Sequence, residues 1–191
     1  GTALQERVMA LDADSGKVNL SKNDPSLKHL PLTSANSINI GRLLPQTIYY
    51  VYAYSRLQKQ LQFVVPSGNM GNATAGILAM GMGLPVDSFL IACNANDPVL
   101  NYYQTGIYKP QATVTTMSNA MDIGNPSNFV RILEYFHHDH QKFCQRITVT
   151  SIDDPTTIQT IKNVYKQYNY LLDPHTAVAW AAAEKQKNES A

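Results

Sequence analysis

The stretch from Gln62 to Met82 restricts the fold more than any other part of the chain. Gln62-Phe63-Val64-Val65 is a compact apolar run between polar residues, the pattern of a buried strand. It leads directly into Pro66-Ser67-Gly68-Asn69-Met70-Gly71-Asn72 and then into residues 73–82, a helical stretch. One face of that helix is small (Ala73, Ala75, Gly76, Ala79), so it can lie close to a sheet. Strand, tight turn and close-packed helix together form the first half of a βαβ unit.

The same alternation continues downstream. Residues 88–92 read as a strand, 97–103 as a short helix, 112–116 as extended chain and 147–151 as another strand. Asn125-Pro126, Asp154-Pro155 and Asp173-Pro174 each place a capping side chain before a proline, so each predicts a helix start. The first of these helices should reach about His138, with Asn125 as its cap. Upstream, residues 4–11 suggest a short helix, Asp14-Ser15-Gly16 a turn and 17–31 a loop. A longer helix is expected from about Ser37 to Gln60, capped by Asn36 or Ser37 and interrupted at Pro45. Its tyrosines at 49, 50, 52 and 54 read as core and packing surface.

The fold class that follows is α/β, an open and mostly parallel sheet flanked by helices. Residues 1–31 form an N-terminal helix and loop segment, and 32–191 the α/β domain. With 44% hydrophobic and 15% charged residues among 191, the chain can bury a real core. A net charge of +1 without a basic block argues against nucleic acid or an acidic membrane as partner. No apolar run approaches the roughly 18 residues of a spanning helix, and residues 1–20 lack the apolar core of a signal peptide. Cys93 and Cys144 sit in apolar surroundings and read as reduced thiols, which suits the cytoplasm. The chain begins with Gly1 and reads as part of a longer protein.

The turn at 66–72 is where chemistry is expected. Ligands of open α/β sheets bind at the carboxyl ends of strands. Gly68 and Gly71 are expected to take positive φ and bring the backbone close to an anion, with the positive end of the following helix adding to the attraction. Ser67, Asn69 and Asn72 offer side-chain donors. The spacing is neither Gly-x-Gly-x-x-Gly nor that of a Gly-Lys-Ser/Thr loop, so a small monophosphate fits better than a nucleotide. From these residues alone, a ligand-free strand-to-helix turn fits as well as an anion nest.

His137, His138 and His140 around Asp139 fit a solvated helix end better than a metal site, and His175 beside a helix start reads as structural. Ser67 has no identifiable base, so no Ser–His–Asp set is assembled.

Two further motifs flank the turn. Ser34-Ala35-Asn36-Ser37-Ile38-Asn39 is followed by Arg42-Leu43-Leu44-Pro45-Gln46. Downstream come Ser118-Asn119-Ala120-Met121-Asp122-Ile123-Gly124 and Pro126-Ser127-Asn128. In order and spacing the set resembles threonine synthase, of the tryptophan-synthase-β-like (fold type II) pyridoxal-phosphate enzymes, over about residues 32–180. The resemblance implies that Ser67, Gly68, Asn69, Met70, Gly71 and Asn72 bind the phosphate of pyridoxal 5'-phosphate, with Met70 where the family usually has Phe. It also implies that Asn36, Ser37, Asn39, Arg42, Ser118, Asn119 and Asp122 lie toward the substrate. The implied reaction converts O-phospho-L-homoserine and water to L-threonine and phosphate.

The family's Schiff-base lysine, in a Phe-Lys-Asp context, has no counterpart here, nor has its Thr-Ala-His-Pro-Ala-Lys motif. Asp173-Pro174-His175-Thr176 matches a different segment that starts a helix. No catalytic residue is therefore assigned, and this chain alone is expected to be inactive. The rival readings are a synthase-like phosphohomoserine lyase and a non-catalytic module that keeps the phosphate loop.

Overall fold

The computed structural model describes residues 37–189. They divide into two units after Arg42. The helix expected at 4–11, the turn at 14–16, the loop at 17–31, the cap at Asn36 and the domain boundary at 31/32 lie outside the described residues.

In the first unit, Ser37 and Ile38 form a turn ahead of helix α1 (Ile40–Leu43), whose last residue opens the second unit. Asn39, rather than Ser37, starts this helix: its Oδ1 accepts the Gly41 N–H at 2.8 Å.

In the second unit, Pro45 sits in a 3-10 turn (Leu44–Gln46) before α2 (Thr47–Leu57), so the expected long helix is broken as its proline requires. Then follow β1 (Leu61–Pro66), α3 (Gly71–Gly81), β2 (Val86–Cys93), α4 (Pro98–Thr105), a 3-10 turn (Asn119–Met121), α5 (Phe129–Tyr135), α6 (His140–Arg146), β3 (Ile147–Ser151), α7 (Asp154–Tyr168) and α8 (Pro174–Glu189).

The strands form a parallel sheet in the order β1-β2-β3. Register places Phe63, Phe89 and Ile147 side by side, with Val65, Ile91 and Val149 in the next row of the same face. That face joins one core with α3, Tyr50 of α2, and residues of α4, α5 and α6. Val64, Leu90 and Ala92 point the other way and pack against Val178, Ala181 and Ala182 of α8. Helices on both faces explain why the last five residues of β2, Phe89 to Cys93, form an unbroken apolar run and are fully buried. Side α7 joins α8 through Val164, Leu172 and Ala177.

Several expectations need correction. Only Tyr50 of the tyrosine stripe is buried; Tyr49 and Tyr52 are 67% and 64% exposed, because α2 turns a single face to β1 and α3. Residues 112–116 join no strand. The Asn96 side chain brackets Val114 instead, accepting its N–H at 2.7 Å and donating to its carbonyl at 2.8 Å. No helix starts at Asn125-Pro126: Phe129 N–H bonds Pro126 O in a turn, and Asn125 accepts the Tyr108 hydroxyl at 2.9 Å instead of capping. At its other end α5 stops at Tyr135, where His137 and His138, both at positive φ, bond back to Glu134 O and Leu133 O in a Schellman arrangement. The cap of α7 is Asp153, one residue earlier than read, while Asp173 caps α8 by accepting the His175 and Thr176 N–H groups.

The long connection from α4 to α5 is tied to the end of β2 by a buried polar hub. Asn94 Nδ2 donates to Thr116 Oγ1 (2.8 Å), Ser118 Oγ (3.0 Å) and Asp122 Oδ1 (2.9 Å). Asn96 Nδ2 reaches the same Asp122 oxygen at 3.1 Å, and the Thr116 N–H donates to Asp122 Oδ2 at 3.0 Å. Asn94, Asn96 and Ser118 are almost fully buried.

Two stability predictions follow from this packing. A Cβ on Gly76 would lie 2.6 Å from the rings of both Phe89 and Tyr50. Gly76→Val should therefore lower the unfolding free energy by about 1–3 kcal/mol in urea titrations, and an unchanged midpoint would show that the helix can back away. Asp122→Ala leaves buried donors of Asn94, Asn96 and Thr116 without their acceptor. A loss of about 2–4 kcal/mol is expected, with faster proteolysis between 106 and 124, whereas a loss under about 0.5 kcal/mol would remove the hub's structural role.

Candidate functional site

The carboxyl ends of the three strands lie in register: Ser67 N–H bonds Ala92 O at 3.0 Å, and Ile152 N–H bonds Cys93 O at 2.9 Å. The Ser67–Asn72 turn is therefore anchored to the edge where open α/β sheets bind ligands. Ser67 is 4% exposed, and its hydroxyl takes no protein partner among the described residues.

At Gly68 an added Cβ would meet Met121 Cα at 2.6 Å, so the turn passes directly over the main chain of the Asn119–Met121 turn. Asn69 Oδ1 accepts both the Ser127 N–H (2.6 Å) and its hydroxyl (2.8 Å), and Asn69 O accepts Asn128 Nδ2 at 3.0 Å. Met70 is left-handed (φ 60°, ψ 13°) and nearly fully buried. This corrects the expectation for the glycines: neither Gly68 nor Gly71 has positive φ, and the strained position is taken by Met70. A left-handed non-glycine residue costs roughly 1–2 kcal/mol, which the buried Met70 side chain offsets.

Gly71, Asn72 and Ala73 form the first turn of α3, where N–H groups have no intrahelical acceptor. The residue before them, Met70, makes no side-chain cap bond, and the first turn carries no acidic residue. An anion placed there meets several converging donors and the positive end of an 11-residue helix. The Asn72 side chain is turned away from this point: Oδ1 accepts the Tyr50 hydroxyl at 2.7 Å and Nδ2 donates to Gln46 Oε1 at 3.1 Å. Burial raises the Tyr50 hydroxyl far above the usual range, so it stays a donor.

The remaining candidates fall in three places. Ser118 and Asp122 belong to the buried hub, while Asn119 is exposed at the start of the 3-10 turn. Asn39 and Arg42 build the start of α1, Arg42 N–H bonding Asn39 O at 2.9 Å, and Ser37 lies in the turn before it. Asn36 lies outside the described residues. His175 does serve structure: its Nε2 accepts the Ala120 N–H at 3.3 Å and its Nδ1 bonds Asp173. Among the described residues no group of His, Cys, Asp and Glu could hold a metal.

The turn offers donors but no nucleophile. Burial, with the Asp97 charge adding to it, pushes the Cys93 thiol up to about 12, and burial also raises Cys144. The described lysines, at 59, 109, 142, 162, 166, 185 and 187, are all exposed. Asn94 and Asn96 were not foreseen, and Ser127 and Asn128 stood out in the sequence only as part of the downstream motif, without a role. The signal for the first two was present, as Asn-x-Asn immediately after an apolar strand places amides where only a hub can satisfy them.

No family model matches the chain. Curated relatives do: the threonine synthase of Buchnera aphidicola (subsp. Acyrthosiphon pisum) is 42% identical over 173 residues, 88% of this chain and 40% of the relative. That of Escherichia coli is 42% identical over 182 residues, 93% of this chain and 42% of the relative. Among solved structures, pyridoxal-phosphate-bound threonine synthase from Brucella melitensis superposes with a TM-score of 0.80 at 29% identity, covering 95% of this chain and 43% of that one. Escherichia coli threonine synthase gives 0.78 at 41% identity, covering 95% and 42%. Maize serine racemase, at 15% identity and a TM-score of 0.57, shares the fold. Along most of its length the chain is thus similar to threonine synthases in sequence and in fold, and it spans about two fifths of the length of the relatives it matches.

Proposed function

We propose that the Ser67–Asn72 turn holds the phosphate of pyridoxal 5'-phosphate, in a protein that converts O-phospho-L-homoserine and water to L-threonine and phosphate. The observation that carries this is the first turn of α3, whose N–H groups face an end without a side-chain cap or an acidic neighbour. That donor set suits a phosphate dianion. The unpartnered hydroxyl of nearly buried Ser67 adds a donor beside it. The cofactor named for the Brucella melitensis relative agrees.

Bound there, pyridoxal phosphate supplies an electron sink for charge developing beside the substrate's amino-bearing carbon. This chain's part is to bind and orient. Backbone N–H groups of residues 70–73 neutralise the phosphate, each charge-assisted bond contributing roughly 1.5–3 kcal/mol. The Tyr50 hydroxyl fixes Asn72, and the Asp122 hub keeps the Met121 main chain against Gly68. We assign Asn119 and Arg42, both exposed, to direct substrate contact, with Asn36, Ser37 and Asn39 beside Arg42 in sequence and Ser118 and Asp122 shaping the wall behind Asn119. Exposed lysines do not suit the desolvated amine that must hold the cofactor's aldehyde, and we assign none of them that role.

No described helix is long and apolar enough to cross a membrane, and both cysteines are free. We place the protein in the cytoplasm, acting on a small molecule.

In the full-length protein, O-phospho-L-homoserine should yield equimolar threonine and phosphate. Release of 2-oxobutyrate instead would favour a phosphohomoserine lyase, and no turnover by cofactor-loaded protein would favour a binding module. Gly71→Val sets a β-branched side chain among the donors and should weaken pyridoxal-phosphate binding at least about tenfold, read by fluorescence titration. Unchanged affinity would mean that the phosphate sits elsewhere.

A further inference from the structure

Asn69 stands at the crest of the turn between two fixed residues. Gly68 is backed by the Met121 main chain, and Met70 is locked by its buried side chain and by Thr74, whose N–H and hydroxyl both bond Met70 O. What holds Asn69 comes from 58 and 59 residues away: Ser127 binds its side chain through two bonds, and Asn128 binds its main-chain carbonyl. Asn128 is fully buried, and its other amide atom accepts from Arg131, which sets the amide's orientation.

The carbonyl bond has a stereochemical consequence. In a planar trans peptide the C=O and the following N–H point in opposite directions. Pinning Asn69 O toward Asn128 therefore turns the Met70 N–H the other way, away from the Ser127–Asn128 turn. Rotation of that one peptide would present a carbonyl oxygen to the anion in place of a donor. A strained left-handed residue such as Met70 keeps its conformation only where its surroundings fix it.

We propose that Ser127 and Asn128 are positioning residues for phosphate recognition: they set the Asn69–Met70 peptide so that the Met70 N–H joins the donor set. The proposal rests on the reading of the turn as the pyridoxal-phosphate phosphate site. It also gives a physical reason why no helix begins at Asn125-Pro126. Residues 126–128 stay in a turn whose side chains serve Asn69 instead of the α5 N–H groups.

The test compares pyridoxal 5'-phosphate with pyridoxal, which lacks only the phosphate, in equilibrium titrations of the full-length protein. Wild type should prefer the phosphorylated form strongly. Asn128→Asp keeps the acceptor for Arg131 but turns an oxygen to Asn69 O, and should cut that preference about tenfold. Ser127→Ala should cut it about fivefold, and Ser127→Thr, which keeps the hydroxyl, should restore it to within about twofold. Pyridoxal affinity should stay within about twofold throughout. Full phosphate preference in both Asn128→Asp and Ser127→Ala overturns the proposal, as does equal weakening of the two ligands, which marks a role in folding alone. A wild type with no preference overturns the phosphate reading of the turn itself. If Asn128→Asp does not fold, as judged by its melting curve, the Ser127→Ala and Ser127→Thr pair decides.

Discussion

Asp122 accepts hydrogen bonds from the side chains of Asn94, Asn96 and Thr116 and from the Thr116 main chain, in a place where these groups have little water to turn to. A carboxylate so saturated is costly to disturb, because each buried donor left unpaired costs roughly 1–3 kcal/mol. Its position matters as much as its strength. Asn94 and Asn96 follow directly on β2, so the hub hangs from the central strand of the sheet, which is paired on both edges. Through it the connection from α4 to α5 is drawn over the carboxyl ends of the strands. That places the Met121 main chain against Gly68.

The Ser67–Asn72 turn is thus shaped from both sides. The sheet fixes Ser67 through Ala92, and the helix fixes Met70 through Thr74. The hub supplies Met121, and the turn before α5 supplies Ser127 and Asn128. Each contact fixes backbone rather than presenting a charged side chain. This suits a site whose donors are main-chain N–H groups, since main-chain groups cannot adapt by changing rotamer.

The sheet and its flanking helices were legible in the chain because their signals are local. The apolar runs at 62–65, 88–92 and 147–151 each became a strand within one or two residues, and Asp173 caps a helix as its neighbours suggested. What escaped is what long-range bonds decide. Asn125-Pro126 has the composition of a helix start, yet Asn69, more than 50 residues earlier, claims Ser127 and Asn128. Asn96 replaces a strand partner for Val114, which no propensity encodes. At the tyrosine stripe the residue type was informative and the facing was not, because α2 offers one side to the core.

Position 70 shows how far the resemblance to known relatives carries and where physics must complete it. On the proposed reading backbone groups bind the anion, so a Met where the resemblance sets a Phe looks immaterial. The geometry makes it more restrictive. Residue 70 bears the left-handed strain of the turn, and its side chain is nearly fully buried beside α3 and β1. A glycine would relieve the strain but forfeit that burial, and with it the anchor that stops the Asn69–Met70 peptide from rotating. A polar residue would enter the core without a partner. Large, unbranched at Cβ and apolar is what the site demands. Phe and Met both satisfy it, so the identity of this residue reports on how the turn is held and not on what the turn binds.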